Sequence, residues 1–111
     1  MLFRSGAVDR RVLVRLPLHA IVVNASRGSL LDETALLELL ELRRLRGAAL
    51  DVFEIEPLPA GSPLRNLDNV VLAPHRGGAT VEADARLLEV IGDNLLRVLD
   101  GQPPRHVVNG L

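Results

Sequence analysis

The stretch AIVVNASRG, residues 20–28, joins a short run of β-branched apolar residues to a polar segment that ends in glycine. Such runs are typical of strands buried in a parallel sheet, because neighbouring layers cover these strands on both faces. The sequence therefore predicts a strand over residues 20–23, followed by a segment that carries Asn24, Ser26 and Arg27.

Two more short apolar runs predict strands, at residues 48–53 and 70–73. Apolar residues spaced three to four apart predict three helices, over residues 8–16, 30–45 and 81–99. The alternation of strands and helices is typical of an α/β fold with a doubly wound parallel sheet. Three strands are few for an independent sheet with an exposed edge, so we expect that part of the domain is missing or that a second copy supplies it.

The helices carry signals for their ends and for their buried faces. Asp32 and Thr80 stand where short oxygen-bearing side chains cap the first turn of the second and third helices. Gly47 is expected to end the second helix, whose leucines cover more than one face and therefore predict that it is largely buried. In the third helix an inner stripe is predicted at Val81, Ala85, Leu88, Ile91, Leu95 and Val98.

Composition excludes several classes of protein. The 111 residues carry a net charge of −1, which leaves no basic surface for nucleic acid or for an anionic membrane. No cysteine is present, so disulfides, thiol redox chemistry and cysteine-bound zinc are excluded. The histidines form no HxH or HxxxH pair, and no metal site is expected. Neither a signal peptide nor an apolar run of about 20 residues is evident, which favours a cytoplasmic protein without a membrane partner.

Polar side chains occur at the ends of the predicted strands, where ligands bind in open parallel α/β sheets. Arg27 follows the first strand, Glu56 the second and His75 the third, and Asp51 lies inside the second strand. A guanidinium, a carboxylate and an imidazole at one edge suit catalysis, as an anion clamp, an orienting group and a proton carrier. Simpler interpretations also exist, with Arg27 and Glu56 as solvated surface residues, His75 as a loop histidine and Asp51 as an acceptor for loop amides.

Gly77 and Gly78 follow His75 and precede the third helix. A glycine pair permits a positive φ and lets a ligand approach the backbone closely, which suits a binding loop. The sequence contains no GxGxxG motif, so the pyrophosphate-binding loop of a dinucleotide fold is absent from it.

Four segments together resemble the D-isomer-specific 2-hydroxyacid dehydrogenases, in order and spacing. They are IVVNASRGSLLDETALL (21–37), GAALDVFEIEPLP (47–59), NVVLAPHRGGATVEA (69–83) and NLLRVLDGQPPRHVVN (94–109). The resemblance runs from about Gly6 to the C-terminus and implies a partial Rossmann-like sheet of about three strands with flanking helices and a long C-terminal helix. One departure concerns Leu42 and Arg43, which stand where the family often has a helix-ending Ser-Gly pair, so this helix end is expected to differ or to be strained.

The resemblance implies roles for individual residues. Arg27 is similar to the arginine that binds the substrate carboxylate, and Glu56 to the acid that hydrogen-bonds the catalytic histidine. His75 is similar to that histidine, the acid/base that carries the hydroxyl proton, and Asp51 to the residue near the nicotinamide carboxamide. The residues implied around the nicotinamide end of NAD are Asn24, Ala25, Ser26, Arg27, Asp51, His75, Gly77 and Gly78.

The resemblance further implies that residues 1–111 are the C-terminal portion of a dinucleotide-binding domain, with residues 81–111 returning toward the substrate domain. The implied activity is hydride transfer between NAD or NADP and a small 2-hydroxy or 2-keto acid. Glyoxylate, hydroxypyruvate and phosphoglycerate remain open as substrates. Because the glycine-rich loop is missing, an alternative also stays open, namely an inactive truncated remnant that acts only as a structural or oligomerising piece. A homodimer or a swapped oligomer is the expected assembly.

Overall fold

A computed structural model describes residues 6–110 of the chain. The described residues divide into two compact units, residues 6–77 and residues 78–110. The helices and strands of the first unit are α1 (Arg10–Leu13), β1 (Ile21–Asn24), α2 (Glu33–Glu41), β2 (Gly47–Leu50) and β3 (Val70–Leu72), with 3₁₀ turns at Gly28–Leu30 and Pro63–Asn66. The second unit contains one long helix, α3 (Val81–Leu99).

The three strands form a parallel sheet in the order β1-β2-β3, which confirms the predicted α/β fold. Val22 pairs with Ala48, and Ala48 pairs in turn with Val70. These side chains belong to the face of the sheet that packs into the apolar core together with α2. The largest fully buried side chains are Leu13, Leu36, Leu40, Leu45, Leu50, Val52 and Leu64.

The opposite face of the sheet is exposed. Ile21, Val23 and Val71 are 58%, 70% and 69% exposed, and Val23 and Val71 both pair with Ala49 across the sheet. The expectation that these strands are covered on both faces is therefore wrong for the described residues. This face is exposed because only one helix within residues 6–77, α2, is longer than four residues, and α2 packs on the other face of the sheet.

The start of α2 agrees with the sequence. Asp32 is the N-cap, and its Oδ1 accepts the amide of Ala35 at 2.9 Å. The prediction of a largely buried helix holds for one face, whose buried residues are Ala35, Leu36, Leu39 and Leu40. Leu42 is 71% exposed, since it lies beyond the last turn that faces the core.

The end of α2 comes earlier than predicted, at Glu41. The amide of Arg43 donates to the carbonyl of Leu40 at 3.1 Å, and the amide of Arg44 donates to the carbonyl of Leu39 at 2.8 Å. These two bonds form a Schellman motif, in which the turning residue is left-handed and is usually glycine. Arg43 takes that position with φ +55°, so the expected strain at this helix end is present.

Two further boundaries differ from the prediction. Gly47 begins β2 and does not end α2, and the strand stops at Leu50 although the apolar sequence continues to Phe53. A Cβ on Gly47 would lie 2.7 Å from the carbonyl oxygen of Asn69, so glycine allows the chain to approach β3 closely here. The first helix is also shorter than predicted, with α1 covering Arg10–Leu13 only.

The long helix α3 has the predicted bounds, and Oγ1 of Thr80 accepts the amide of Ala83 at 3.1 Å. The predicted inner stripe is wrong, because no residue of α3 is buried, and Val81 and Leu88 are 84% and 70% exposed. A single helix with a short tail offers too little surface to cover such a stripe. None of the helices within residues 6–110 is long and apolar enough to cross a membrane.

Candidate active site

The last residues of the three strands, Asn24, Leu50 and Leu72, are register partners, so the strands end together at one carboxyl edge of the sheet. His75 and Glu56 meet at this edge, with Nδ1 of His75 lying 2.7 Å from Oε2 of Glu56. The imidazole is 44% exposed and the carboxylate side chain 35% exposed, so both are accessible to a ligand. The structure thus brings together two of the three residues that the sequence placed at the strand ends.

Glu56 is held on its other oxygen by the main chain. Its Oε1 accepts the amide of Phe53 at 3.0 Å. The hydrogen bond with His75 and the bond from this amide hold the pKa of Glu56 below its usual range. An ionised carboxylate can only accept hydrogen bonds, so Nδ1 of His75 is the donor and Nε2 remains available to a ligand.

Arg27 lies on the loop that follows β1, and the side chain of Asn24 closes that loop. Nδ2 of Asn24 donates to the carbonyl of Arg27 at 3.1 Å, and its Oδ1 accepts the amide of Ser26 at 3.2 Å. The guanidinium donates to the carbonyl of Ser26 at 2.8 Å. Ala25, Ser26 and Arg27 are all exposed. After the two hydrogen bonds of Glu56, the Arg27 charge also lowers the pKa of that carboxyl, which puts Arg27 within electrostatic reach of the pair.

Gly28 brings the loop after β1 into contact with the chain after β2. It is buried, and a Cβ at this position would lie 1.9 Å from the carbonyl oxygen of Phe53 and 2.6 Å from the nitrogen of Glu54. No side chain fits this space without a backbone shift. The sequence identified Gly28 only as the end of a segment, and its role was missed because the contact joins residues far apart in the chain.

Asp51 holds the loop that follows β3. Its Oδ1 accepts the amide of Arg76 at 2.8 Å, and its Oδ2 accepts the amide of Gly77 at 2.7 Å. These two bonds hold the pKa of Asp51 below its ordinary value. The carboxylate therefore binds loop amides, which is the simpler of the two interpretations drawn from the sequence, and its contact with a cofactor stays a prediction.

The positive φ that the glycine pair would permit is instead found at His75, whose φ is +54°. Neither Gly77 nor Gly78 is left-handed. A glycine at position 77 lets the main chain of this loop approach the carboxylate of Asp51 closely, because a Cβ there would lie 2.9 Å from Oδ2 of Asp51. Gly78 has open space around its Cβ position and begins the second unit of the chain.

A cavity of about 510 Å³ opens beside the His75–Glu56 pair. Its other lining residues are Phe53, Pro57, Leu58, Arg65, Leu72, Ala73 and Pro74. Arg65 supports its wall, because the guanidinium donates to the carbonyls of Leu58 and Pro59 at 2.7 and 3.0 Å. The sequence did not single out Arg65, since nothing in its local pattern separates it from a surface arginine.

Comparison with known proteins identifies the family of this domain. Residues 4–77 match the family model of the D-isomer specific 2-hydroxyacid dehydrogenase, NAD binding domain. The chain belongs to this family. It is similar to the glyoxylate reductase of Thermofilum pendens, with 44% identity over 102 residues, which cover 92% of this chain and 30% of the relative. It is also similar to glyoxylate/hydroxypyruvate reductase B of Serratia proteamaculans, with 43% identity over 102 residues, 92% of this chain and 31% of the relative.

Solved structures of dehydrogenases share the fold. The D-isomer specific 2-hydroxyacid dehydrogenase from Xanthobacter autotrophicus Py2, in complex with NADPH and MES, matches with a TM-score of 0.81 and 35% identity. The match covers 97% of this chain and 45% of that chain. The Rossmann-like sheet that the resemblance implied is thereby confirmed. The dehydrogenase domain described here spans about 30% of the length of the two curated relatives.

Proposed function

We propose that this chain is the C-terminal part of an oxidoreductase that transfers a hydride between NAD(P) and a small 2-hydroxy or 2-keto acid. The observation that carries the proposal is the 2.7 Å contact between His75 and Glu56 at the carboxyl edge, within electrostatic reach of Arg27. Oxidation of a hydroxyl beside a carboxylate needs a proton carrier, a group that orients it and a cation for the carboxylate. Membership of the dehydrogenase family supports the same chemistry.

His75 is the proposed proton carrier, and its reacting atom is Nε2. Nδ1–H is engaged by Glu56, so Nε2 accepts the hydroxyl proton in oxidation and returns it to the carbonyl oxygen in reduction. The carboxylate of Glu56 accepts the Nδ1 proton of the ring and fixes the direction in which Nε2 points. Glu56 thereby acts on the reaction through His75.

Arg27 is the proposed site for the substrate carboxylate. A guanidinium can bind both oxygens of a carboxylate through two parallel hydrogen bonds, which fixes the orientation of the adjacent carbon. Arg27 is exposed on a loop closed by Asn24, so its side chain is accessible to a small acid. Lysine would keep the charge and lose the paired geometry.

The nicotinamide end of NAD(P) is proposed to bind at the loops of this edge. When bound, the cofactor donates or accepts the hydride. Asp51 uses one lone pair of each oxygen on a loop amide, so each oxygen keeps a second lone pair for a carboxamide N–H. The exposed loop residues Ala25 and Ser26 leave room for a planar ring, and a contact with Gly78 stays a prediction. Asn24 and Gly77 would act indirectly on the nicotinamide, because Asn24 closes the loop after β1 and the amide of Gly77 binds Asp51.

A chimaera tests the proposed activity. The chain is fused in frame to the N-terminal part of the Thermofilum pendens glyoxylate reductase, in place of the matching segment, and NADPH or NADH oxidation is followed with glyoxylate. We expect turnover that falls on the order of 10²- to 10⁴-fold in His75→Gln, because the proton carrier is removed, with the cofactor Kd nearly unchanged. Arg27→Lys is expected to raise KM for glyoxylate more than it lowers kcat.

The matched control is His19→Gln, which changes an exposed histidine outside the proposed site and is expected to leave turnover unchanged. A His75→Gln chimaera that turns over glyoxylate as fast as its parent would contradict the proposal. A family member that acts on glyoxylate supports this choice of substrate, and hydroxypyruvate is the second acid to test.

We also propose that α3 and the tail, residues 81–111, return to the substrate domain in the complete protein. The support is the apolar stripe of α3, because Leu88, Ile91 and Leu95 are 70%, 53% and 59% exposed at helical spacing. Such a stripe is typical of a helix that packs against a further layer of protein.

The isolated chain is further proposed to form a homodimer or a swapped oligomer. β1 lies at the edge of the sheet, and its exposed side chains Ile21 and Val23 would be covered by a second copy. Size-exclusion chromatography with light scattering is expected to give at least twice the mass of one chain, and a compact monomer would contradict this. The cytoplasmic location indicated by the sequence stays a prediction.

A further inference from the structure

Asp51 is fixed at both its main chain and its side chain. Its amide donates to the carbonyl of Asn24 at 2.9 Å, which ties it to the end of β1. Its two carboxylate oxygens accept the amides of Arg76 and Gly77 at 2.8 and 2.7 Å. The loop after β3 is therefore bound to the sheet through one side chain.

The residue immediately before these two amides is His75, with its left-handed φ of +54°. A non-glycine residue persists in this conformation only where its surroundings fix it. Successive amides that converge on one anion provide such a constraint, as in an anion-binding nest. The fit is close, since a Cβ on Gly77 would lie 2.9 Å from Oδ2 of Asp51.

We propose that Asp51 is a positioning residue for His75. Its carboxylate fixes the left-handed backbone of His75, and this backbone conformation directs the imidazole toward Glu56, where Nδ1 and Oε2 lie 2.7 Å apart. Asp51 thus holds the main chain of the loop, and Glu56 holds the ring. The importance of this for catalysis rests on the proposed function of His75 as the proton carrier, whereas the geometric effect does not.

NMR spectroscopy of the full 111-residue chain, labelled with ¹⁵N and ¹³C, tests the geometric effect in Asp51→Asn. The asparagine is nearly isosteric and keeps one acceptor oxygen, so one of the two amides loses its partner. We expect the Cα–Hα coupling of His75 to report a change from positive to negative φ, and the signal of its hydrogen-bonded Nδ1 proton to be lost. The exposed His19 and His106 are internal controls whose ring signals should not change.

Two glycine variants provide an independent test if Asp51→Asn does not fold. Gly77→Ala places a methyl group 2.9 Å from Oδ2 of Asp51 and should release His75 in the same way, whereas Gly78→Ala meets open space and should not. Glu56→Gln should lose the Nδ1 signal of the parent chain and keep the positive φ of His75. Loss of the positive φ in Glu56→Gln would instead assign the backbone constraint to Glu56 and overturn the proposal.

The proposal is also overturned if His75 keeps its φ and its Nδ1 signal in folded Asp51→Asn, or in folded Gly77→Ala. Folding is checked by the dispersion of the methyl signals of the buried leucines. None of these measurements requires turnover, so they can fail while the chimaera still shows that His75 carries the proton. Conversely, an active His75→Gln chimaera would reject the proposed function and leave the geometric role of Asp51 intact.

Discussion

Gly28 and His75 show how single residues define the carboxyl edge. At Gly28 the missing side chain lets the loop of Arg27 lie directly on the main chain of Phe53. At His75 a full side chain is kept in a left-handed conformation that costs about 1–2 kcal/mol for an L-residue. Both features are local deviations from what most residues tolerate; the first lies next to Arg27, and the second is at the proposed proton carrier itself.

Replacement of Gly28 by alanine should destabilise the chain strongly. The new Cβ would lie 1.9 Å from a main-chain oxygen, which cannot move aside as a flexible side chain would. We expect the free energy of unfolding to fall by about 3 kcal/mol or more, at the upper end of overpacking effects. Urea denaturation followed by circular dichroism measures this. Gly61→Ala, which meets open space, is the matched control, and equal stability of the two variants would contradict the prediction.

At the scale of elements, α2 and α3 begin as their sequences predict, because a capping side chain acts on an amide only three residues away. The end of α2 is different, since Arg43 occupies a left-handed position without the glycine that would have marked it. The strands were located correctly, but β2 was predicted too long. Val52 and Phe53 are buried as strand residues are, yet they do not belong to the paired part of β2.

Arg43→Gly is expected to stabilise the chain by about 1 kcal/mol, because glycine adopts positive φ without the steric cost that arginine carries. The substitution also removes the ion pair between Arg43 and Asp68. The two side chains are 61% and 77% exposed, and ion pairs this exposed contribute little to stability. Asp68→Asn measures that contribution alone, and Arg44→Gly, at a residue without positive φ, should be destabilising. A thermal or urea midpoint for Arg43→Gly below that of the parent would contradict the prediction.

The candidate site was predictable in outline. Parallel strands end at the same edge, so Arg27, Glu56 and His75 could be placed near one another from the sequence. The contacts that set their geometry could not, since the bond between Glu56 and His75 spans 19 positions and the bonds of Asp51 span 25 and 26. Long-range distances of this kind follow from the packing of the sheet and leave no periodic signal in the chain.

For the whole molecule, stability should depend on pH through the two carboxylates of the edge. The pKa values of Asp51 and Glu56 are lowered in the folded chain from ordinary values of 3.8 and 4.5. Their contribution to stability is therefore fully present above about pH 5 and is lost as the pH falls through the lowered values, because the unfolded chain takes up protons first. The urea midpoint is expected to fall as the pH is lowered below about 5.

Asp51→Asn removes one of these carboxylates and, through the proposed release of His75, also weakens the hydrogen bond that lowers the pKa of Glu56. The variant should show a shallower decrease of the urea midpoint with acid, since it has one titrating group fewer, while other acidic residues such as Asp9 contribute equally in both chains. Identical slopes for the parent and the variant would contradict the assignment. At pH 7 the variant should also be less stable than the parent.

Phe53 connects the loop of Arg27 to the segment that carries Glu56. Its carbonyl lies against Gly28, its amide donates to Glu56, and Glu56 holds His75. The Arg27 loop and the imidazole of His75 are therefore connected through a single main-chain residue and the carboxylate of Glu56. A displacement of the Phe53 main chain would therefore move both the Arg27 loop and the carboxylate that holds the imidazole, so the geometry of these two parts of the edge is set together.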